Sequence, residues 1–182
     1  MKKIIIAIDS FKGCLTSAEA GKAAEKGIKS INPFCHTSVI PIADGGEGLL
    51  DVLITATKGK YITLSAHGPL MKMAKTHYGL SGNGRTAIIE MAAISGLPLV
   101  PIEQRNPMLT TTFGTGELIK DALNKGCRNF IIGIGGSATN DAGLGMLQAL
   151  GFRFLDKSGH TLGTGGQIME AVANIDTSGI HP

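Results

Sequence analysis

The stretch FIIGIGGSATNDAGLGMLQALG, Phe130–Gly151, decides the fold class. Ile131–Ile134 is a short apolar run suited to a buried strand. Gly135, Gly136 and Ser137 make a small-residue turn, and Thr139, Asn140 and Asp141 lead into an apolar-faced helix. A strand that passes through glycines into a helix start presents free backbone N–H groups to an anion. The first expectation is therefore a phosphate site with the Asp141 carboxylate next to it.

The same residues leave several chemistries open. No Gly-Lys-Ser/Thr closes the loop, so it is not a Walker A sequence. Gly133, Gly135 and Ala138, with Asp156 after the next strand, partly match the dinucleotide fingerprint and keep a nicotinamide-dependent oxidoreductase in view. Asp141 argues against a bare pyrophosphate there, because like charges repel. A bound Mg²⁺ reverses that sign, since a carboxylate next to phosphate then holds the metal. Asp141 also suits the orientation of an attacking hydroxyl in phosphoryl transfer. The plainest alternative is a capped, tightly packed turn in which Asp141 favours the helix dipole.

Outward from this stretch, the chain alternates strands and helices. Lys3–Ile8 reads as a first buried strand. Thr16-Ser17-Ala18-Glu19 reads as a capping box opening a helix that Asn32-Pro33 stops. Val39–Ile42 reads as a second strand, completing a βαβ-type unit. A helix with Leu49, Val52, Leu53 and Ala56 on one face follows, closed by Lys58-Gly59. Further strands are expected at Tyr61–Ala66, Ala74–Leu80, Thr86–Ile89 and Phe152–Leu155. Helices are expected at Met91–Ser95, from Gly114 or Thr115 to Lys125 with Gly126 as cap, and at Gln167–Ala173. Pro101–Thr112 reads as a polar connection, and Asp176–Pro182 carries neither a helix cap nor a charged tail that would mark an end.

Two other loops carry candidate chemistry. Asp44-Gly45-Gly46-Glu47-Gly48 sets two carboxylates three residues apart in a loop that can approach a ligand closely, which suits a metal or a hydroxyl-rich substrate. Lys12, in Asp9-Ser10-Phe11-Lys12-Gly13, sits at the C-terminal end of the first strand, where open α/β sheets place ligands. Thr110–Glu117 is a hydroxyl-rich helix start that a good cap also explains. The five histidines have no ligand spacing, and no Gly-x-Ser-x-Gly elbow offers a hydrolase triad.

Composition narrows the classes. The chain has 182 residues, 43% hydrophobic, enough for a real core in one large or two small domains. A net charge of +3 with dispersed lysines, and 4% aromatics without Trp, gives no nucleic-acid surface. The three separated cysteines read as free thiols of a reducing cytosol, and no apolar stretch is long enough to span a bilayer.

DSFKG (Asp9–Gly13), PIADGGEG (Pro41–Gly48), IEMAAISGL (Ile89–Leu97), FGTGEL (Phe113–Leu118) and GIGGSATNDAGLGMLQALG (Gly133–Gly151) together resemble the bacterial glycerate kinase family, in its order and spacing across essentially the whole chain. The resemblance implies two α/β domains with a cleft between them. One would be Rossmann-like, begun by residues 1–62 and completed in the family by chain beyond residue 182; the other would hold residues 63–182. It implies a cytoplasmic enzyme that phosphorylates D-glycerate with ATP and Mg²⁺ and binds neither nucleic acid nor membrane. Carried over motif by motif, Lys12, Asp44 and Asp141 would be catalytic. Ser10, Gly45, Gly46, Gly135, Gly136, Ser137, Thr139 and Asn140 would bind substrate or nucleotide phosphate, and Asp44 with Glu47 would hold the metal. Cys14 stands where Ser is usual, Phe113 for Tyr, and Met71 and Ala142 for Gly. The chain covers about the first half of a family member, which would leave the first two strands with an open edge suited to homo-oligomer formation.

Overall fold

The structure, a computed structural model, describes residues 3–182. Two parallel strands form its first layer: β1 (Lys3–Ile6) pairs with β2 (His36–Val39) in the register Lys3↔His36 to Ile6↔Val39. The crossover is α1 (Ser17–Ile31), and its start is the expected capping box. Thr16 Oγ1 accepts from the Glu19 N–H at 3.2 Å, while the Glu19 carboxylate accepts from the Thr16 N–H at 2.9 Å. Gly21 sets how closely α1 lies on β2, because a Cβ there would stand 2.3 Å from Val39 Cγ1.

Both strands differ from expectation. β1 stops at Ile6 rather than Ile8, and β2 is displaced from Val39–Ile42 to the more polar His36–Val39. The ladder needs partners on both strands, and apolarity alone does not mark where they run out. Just past it, the Ile40 N–H donates to the Ile6 carbonyl at 2.8 Å. Ser17, buried at the first turn of α1, then ties the two strand-end loops together: its hydroxyl donates to the Ile8 carbonyl at 2.6 Å and accepts from the Ile42 N–H at 3.0 Å.

The second layer is a mixed sheet in the order β3-β4-β5-β6. β3 (Lys60–His67) and β4 (Met73–Leu80) form an antiparallel hairpin, β5 (Thr86–Glu90) follows antiparallel, and β6 (Asn129–Gly133) runs parallel to β5. The β5–β6 crossover carries α3 (Ala92–Ser95) and α4 (Phe113–Asn124). β5 shows why the sheet is covered on both faces. Ile88 packs with Leu50 and Ile54 of α2 (Leu49–Thr57), while Ala87 and Ile89 join Tyr78, Ile94 and Leu118 on the other side. Gly79 of β4 lets α2 approach, since a Cβ there would meet Leu50 Cδ1 at 2.6 Å. α5 (Leu144–Ala149) lies along α4, and β7 (Arg153–Leu155) pairs antiparallel with β8 (Asn174–Asp176).

The architecture is the expected mixed α/β one, with three local differences. A division between residues 62 and 63 would cut β3, all eight residues of which pair with β4. Because α2 also packs on this sheet, the change from one layer to the other comes before α2. The expected helix at Gln167–Ala173 is a 3-10 turn over Gly166–Ala171, and the short strand β8 was not anticipated. No helix among the described residues is long and apolar enough to cross a membrane.

Two glycines of one helix give opposite forecasts. Gly21→Ala should cost roughly 1–3 kcal/mol, because the β-branched Val39 must shift. Gly27→Ala, with nothing within 4 Å of its Cβ, should instead gain about 0.5–1 kcal/mol. Urea denaturation midpoints check the sign of both.

Candidate functional site

The loop after β6 does not enter a helix directly. β6 ends at Gly133 and α5 begins at Leu144, and the intervening segment holds its own anion. Asp141 is 1% exposed. Its carboxylate accepts from the backbone N–H groups of Thr112 at 2.8 Å, Gly143 at 3.1 Å and Gly145 at 3.1 Å. It also accepts from Thr111 Oγ1 at 3.2 Å and Thr112 Oγ1 at 3.0 Å. The geometry corrects the expectation of a phosphate held at this helix start beside an available carboxylate: the amides that an external anion would need are already given to Asp141. As described, Asp141 joins the starts of α4 and α5 and presents no free oxygen to a substrate, so a catalytic or metal-binding part for it conflicts with its burial.

The dinucleotide alternative also fails geometrically. Gly133, Gly135 and Ala138 open no helix, and Asp156 is occupied by the Ser158 and His160 N–H groups at 2.8 and 2.9 Å in a turn. The glycines serve a different purpose. A Cβ on Gly133 would lie 2.6 Å from the Gly45 carbonyl oxygen, and one on Gly135 would lie 2.7 Å from Gly46 Cα. The Gly135 N–H donates to the Gly45 carbonyl at 3.3 Å. The two Gly-rich loops therefore touch backbone to backbone, joining the layers.

A cavity of about 420 Å³ opens on one side of this contact. Ser10 and Lys12 line it from the loop after β1, Glu47 from the loop before α2, Asp51 from α2 itself, and His77 and Glu90 from strands β4 and β5. Lys12 and Glu47 are exposed and have no side-chain partner among the described residues. Glu90, at the C-terminal end of β5, accepts from the Leu50 N–H at 2.7 Å and so caps α2 from another element. Burial pushes the Glu90 carboxyl above its ordinary range, and the nearby Asp51 charge adds to the rise. Asp44 is exposed but turns back on its own loop, accepting from the Gly46 N–H at 2.9 Å through one oxygen.

The expected site residues therefore divide. Ser10, Lys12 and Glu47 share the larger cavity, whereas Ser137 and Thr139 line a second one of about 250 Å³ with Arg105. Gly45, Gly46 and Gly135 form the contact between the loops, and Asp44, Gly136 and Asn140 line neither cavity. Sequence reasoning passed over Glu90 and Arg105, and set His77 aside with the other histidines for want of ligand spacing. The one available signal for Glu90 was its place at the end of an apolar strand. Among the described residues no group of three or more His, Cys, Asp or Glu could hold a metal. What the loop Asp44–Gly48 offers is two exposed carboxylates, which fits Mg²⁺ only as an ion that arrives with phosphate ligands.

Two outcomes follow from these environments. Asp141→Asn puts an NH₂ donor among five donors and should destabilise the chain by roughly 1.5–3 kcal/mol or more, read by thermal melting. Glu90 works through linkage: its folded-state pKa lies above the ordinary 4.5, so the folded chain binds the proton more tightly. Its contribution is greatest below pH 4.5 and is lost as pH rises through the folded-state value. Glu90→Gln keeps an acceptor for the Leu50 N–H and should remove that decline from a pH series of unfolding free energies.

Comparison with known proteins adds the family. A model of the glycerate kinase family matches residues 4–182. The chain is 54% identical over 178 residues to a glycerate kinase of Bacillus subtilis, covering 98% of this chain and 47% of that protein. It is 49% identical over 180 residues to a glycerate 2-kinase of Escherichia coli K12, covering 99% and 47%. A crystal structure from Salmonella typhimurium LT2, described as a candidate glycerate kinase 2, superposes with a TM-score of 0.86 at 49% identity, over 98% of this chain and 48% of that one. The chain spans about half the length of the curated relatives it matches. The motif-bearing loops and the parallel β1–α1–β2 unit thus belong to a known lineage, and the chain is a member of the glycerate kinase family.

Proposed function

We propose that this chain carries part of an ATP-dependent glycerate kinase, which moves the γ-phosphoryl group of ATP to a hydroxyl of D-glycerate. The product favoured is 2-phosphoglycerate, in keeping with the name of the Escherichia coli relative. The observation that supports the reading best is the larger cavity, where Lys12 and Ser10 in the loop after β1 line the same space as Glu47 before α2. Strand ends of this kind are where α/β sheets bind ligands.

Each group has a task in such a transfer. The unpartnered Lys12 ammonium offsets charge on the transferring phosphoryl group, where most catalysis is positioning and electrostatic stabilisation. Ser10 supplies a short hydroxyl on the same loop. Glu47, Asp51 and Glu90 make the cavity acidic, which disfavours a bare polyphosphate. Mg²⁺ would neutralise phosphate charge there, held by Glu47 of the cavity lining and by Asp44, which lies on the same loop outside that lining. Asp44 keeps one oxygen unengaged, whereas every oxygen of Asp141 is engaged, so Asp44 is the aspartate proposed to orient the attacking hydroxyl. Asp141 acts in this reading as a positioning residue that holds the loop bearing Ser137, Thr139 and Asn140. The same reading makes the enzyme a cytoplasmic one.

A coupled ADP-release assay with D-glycerate, ATP and Mg²⁺, run on this chain and on a longer polypeptide containing it, tests the proposal. Lys12→Ala should lower kcat/KM by roughly 10²-fold without changing the melting temperature. Asp44→Asn should lower kcat. Turnover near wild type in both variants, or ADP release that does not depend on glycerate, would sink the assignment.

A further inference from the structure

The larger cavity does not account for Ser137 and Thr139. They line the separate cavity of about 250 Å³ together with Leu97, Val100, Arg105, Asn106, Pro107 and Ala138. No Asp or Glu lines it, in contrast to the larger cavity with Glu47, Asp51 and Glu90. We propose that this second cavity binds the carboxylate of a small hydroxy acid, with Arg105 as the specificity-determining residue. The proposal rests on the kinase reading and deepens it by separating the acceptor from the nucleotide.

Four observations carry it. Arg105 is oriented through Nε, which donates to the Val100 carbonyl at 3.2 Å, and its two terminal amino groups have no partner among the described residues. A guanidinium held in this way presents the planar fork that matches a carboxylate. In the lining of the same cavity, Ser137 Oγ and Thr139 Oγ1 are 2.6 Å apart, and Ser137 Oγ also accepts the Thr139 N–H at 3.0 Å. The hydroxyl pair shares one proton between its oxygens, which leaves the other free to donate to an anion.

The walls are also fixed before any ligand arrives. Buried Thr110 donates to the Ala138 carbonyl at 2.8 Å from the segment that carries Arg105. The Leu97 N–H donates to the Gly136 carbonyl at 2.9 Å, and the Ala138 N–H to the Ser95 carbonyl at 2.9 Å. Size discriminates as well. Drug-sized ligands occupy pockets of roughly 300–1,000 Å³. A cavity of about 250 Å³ suits a three-carbon acid, and the larger one of about 420 Å³ suits part of a nucleotide.

Calorimetric titration of the chain without ATP tests this, using D-glycerate, its uncharged methyl ester and inorganic phosphate as probes. D-glycerate should bind the wild type at least tenfold more tightly than the ester. Arg105→Ala should weaken D-glycerate at least tenfold and Arg105→Lys severalfold, with ATP affinity and melting temperature unchanged. Wild-type D-glycerate affinity in Arg105→Ala would overturn the proposal, as would equal binding of acid and ester or no glycerate binding at all. Phosphate binding more tightly than glycerate through Arg105 would make the cavity a phosphate site and also overturn it. Should glycerate bind through Arg105 while the longer polypeptide releases no glycerate-dependent ADP, the kinase reading fails and the carboxylate site stands.

Discussion

The Asp141 carboxylate is the constraint on which the second half of the chain depends. A buried charge is tolerated only when its lone pairs are satisfied. Here that requirement recruits backbone from two helices, Thr112 at the start of α4 and Gly143 and Gly145 around the start of α5. The threonine hydroxyls pass the constraint on: Thr112 Oγ1 donates to Asp141 and accepts from the Met146 N–H at 2.9 Å. Packing follows from that anchoring. A Cβ on Gly145 would meet Thr111 Oγ1 at 2.0 Å, and one on Gly116 would meet the Met146 carbonyl at 2.3 Å. Helices drawn together by one carboxylate leave no room for side chains where they meet.

The second organising contact is glycine on glycine. Gly133 and Gly135 meet Gly45 and Gly46 so closely that the two loops act as one ridge. Glu47, next along one loop, lines the larger cavity, and Ser137, further along the other, lines the smaller. The ridge thus connects an acidic space containing a free lysine to a space with an arginine and no acid. The proposed transfer assigns a metal-neutralised polyphosphate to the first space and a small anion to the second, since catalysis of this kind rests on positioning and electrostatics.

Local signals were legible in the sequence and distant ones were not. Thr16 and Glu19 are three residues apart and satisfy one another, so the start of α1 could be read directly. Gly126 after α4, and the apolar run of β5, carry their meaning in the same way. Three of the five donors to Asp141 come from residues 29 and 30 positions upstream, and no pattern within its own loop distinguishes a carboxylate turned inward from one turned toward a ligand. The fingerprint-like glycines misled for a related reason. Close backbone approach requires glycine whether the neighbour is a phosphate or another loop. Arg105 lies in a stretch that reads only as a polar connection, and its significance comes from Thr110 fastening that stretch to Ala138.

Two departures from the family resemblance acquire a physical meaning in the backbone. Met71 and Ala142 stand where glycine is usual, and both adopt left-handed conformations, with φ of 59° and 50°. A side chain in that region costs about 1–2 kcal/mol per residue. Ala142 lies directly after Asp141 and before Gly143, so its strain is held in place by the carboxylate's bonds to the Gly143 and Gly145 N–H groups. A strained residue persists only where its surroundings over-determine it. The Asp141 network meets that condition, and it can therefore keep the loop geometry that brings Ser137 and Thr139 to the smaller cavity even where a residue less permissive than glycine occupies the turn.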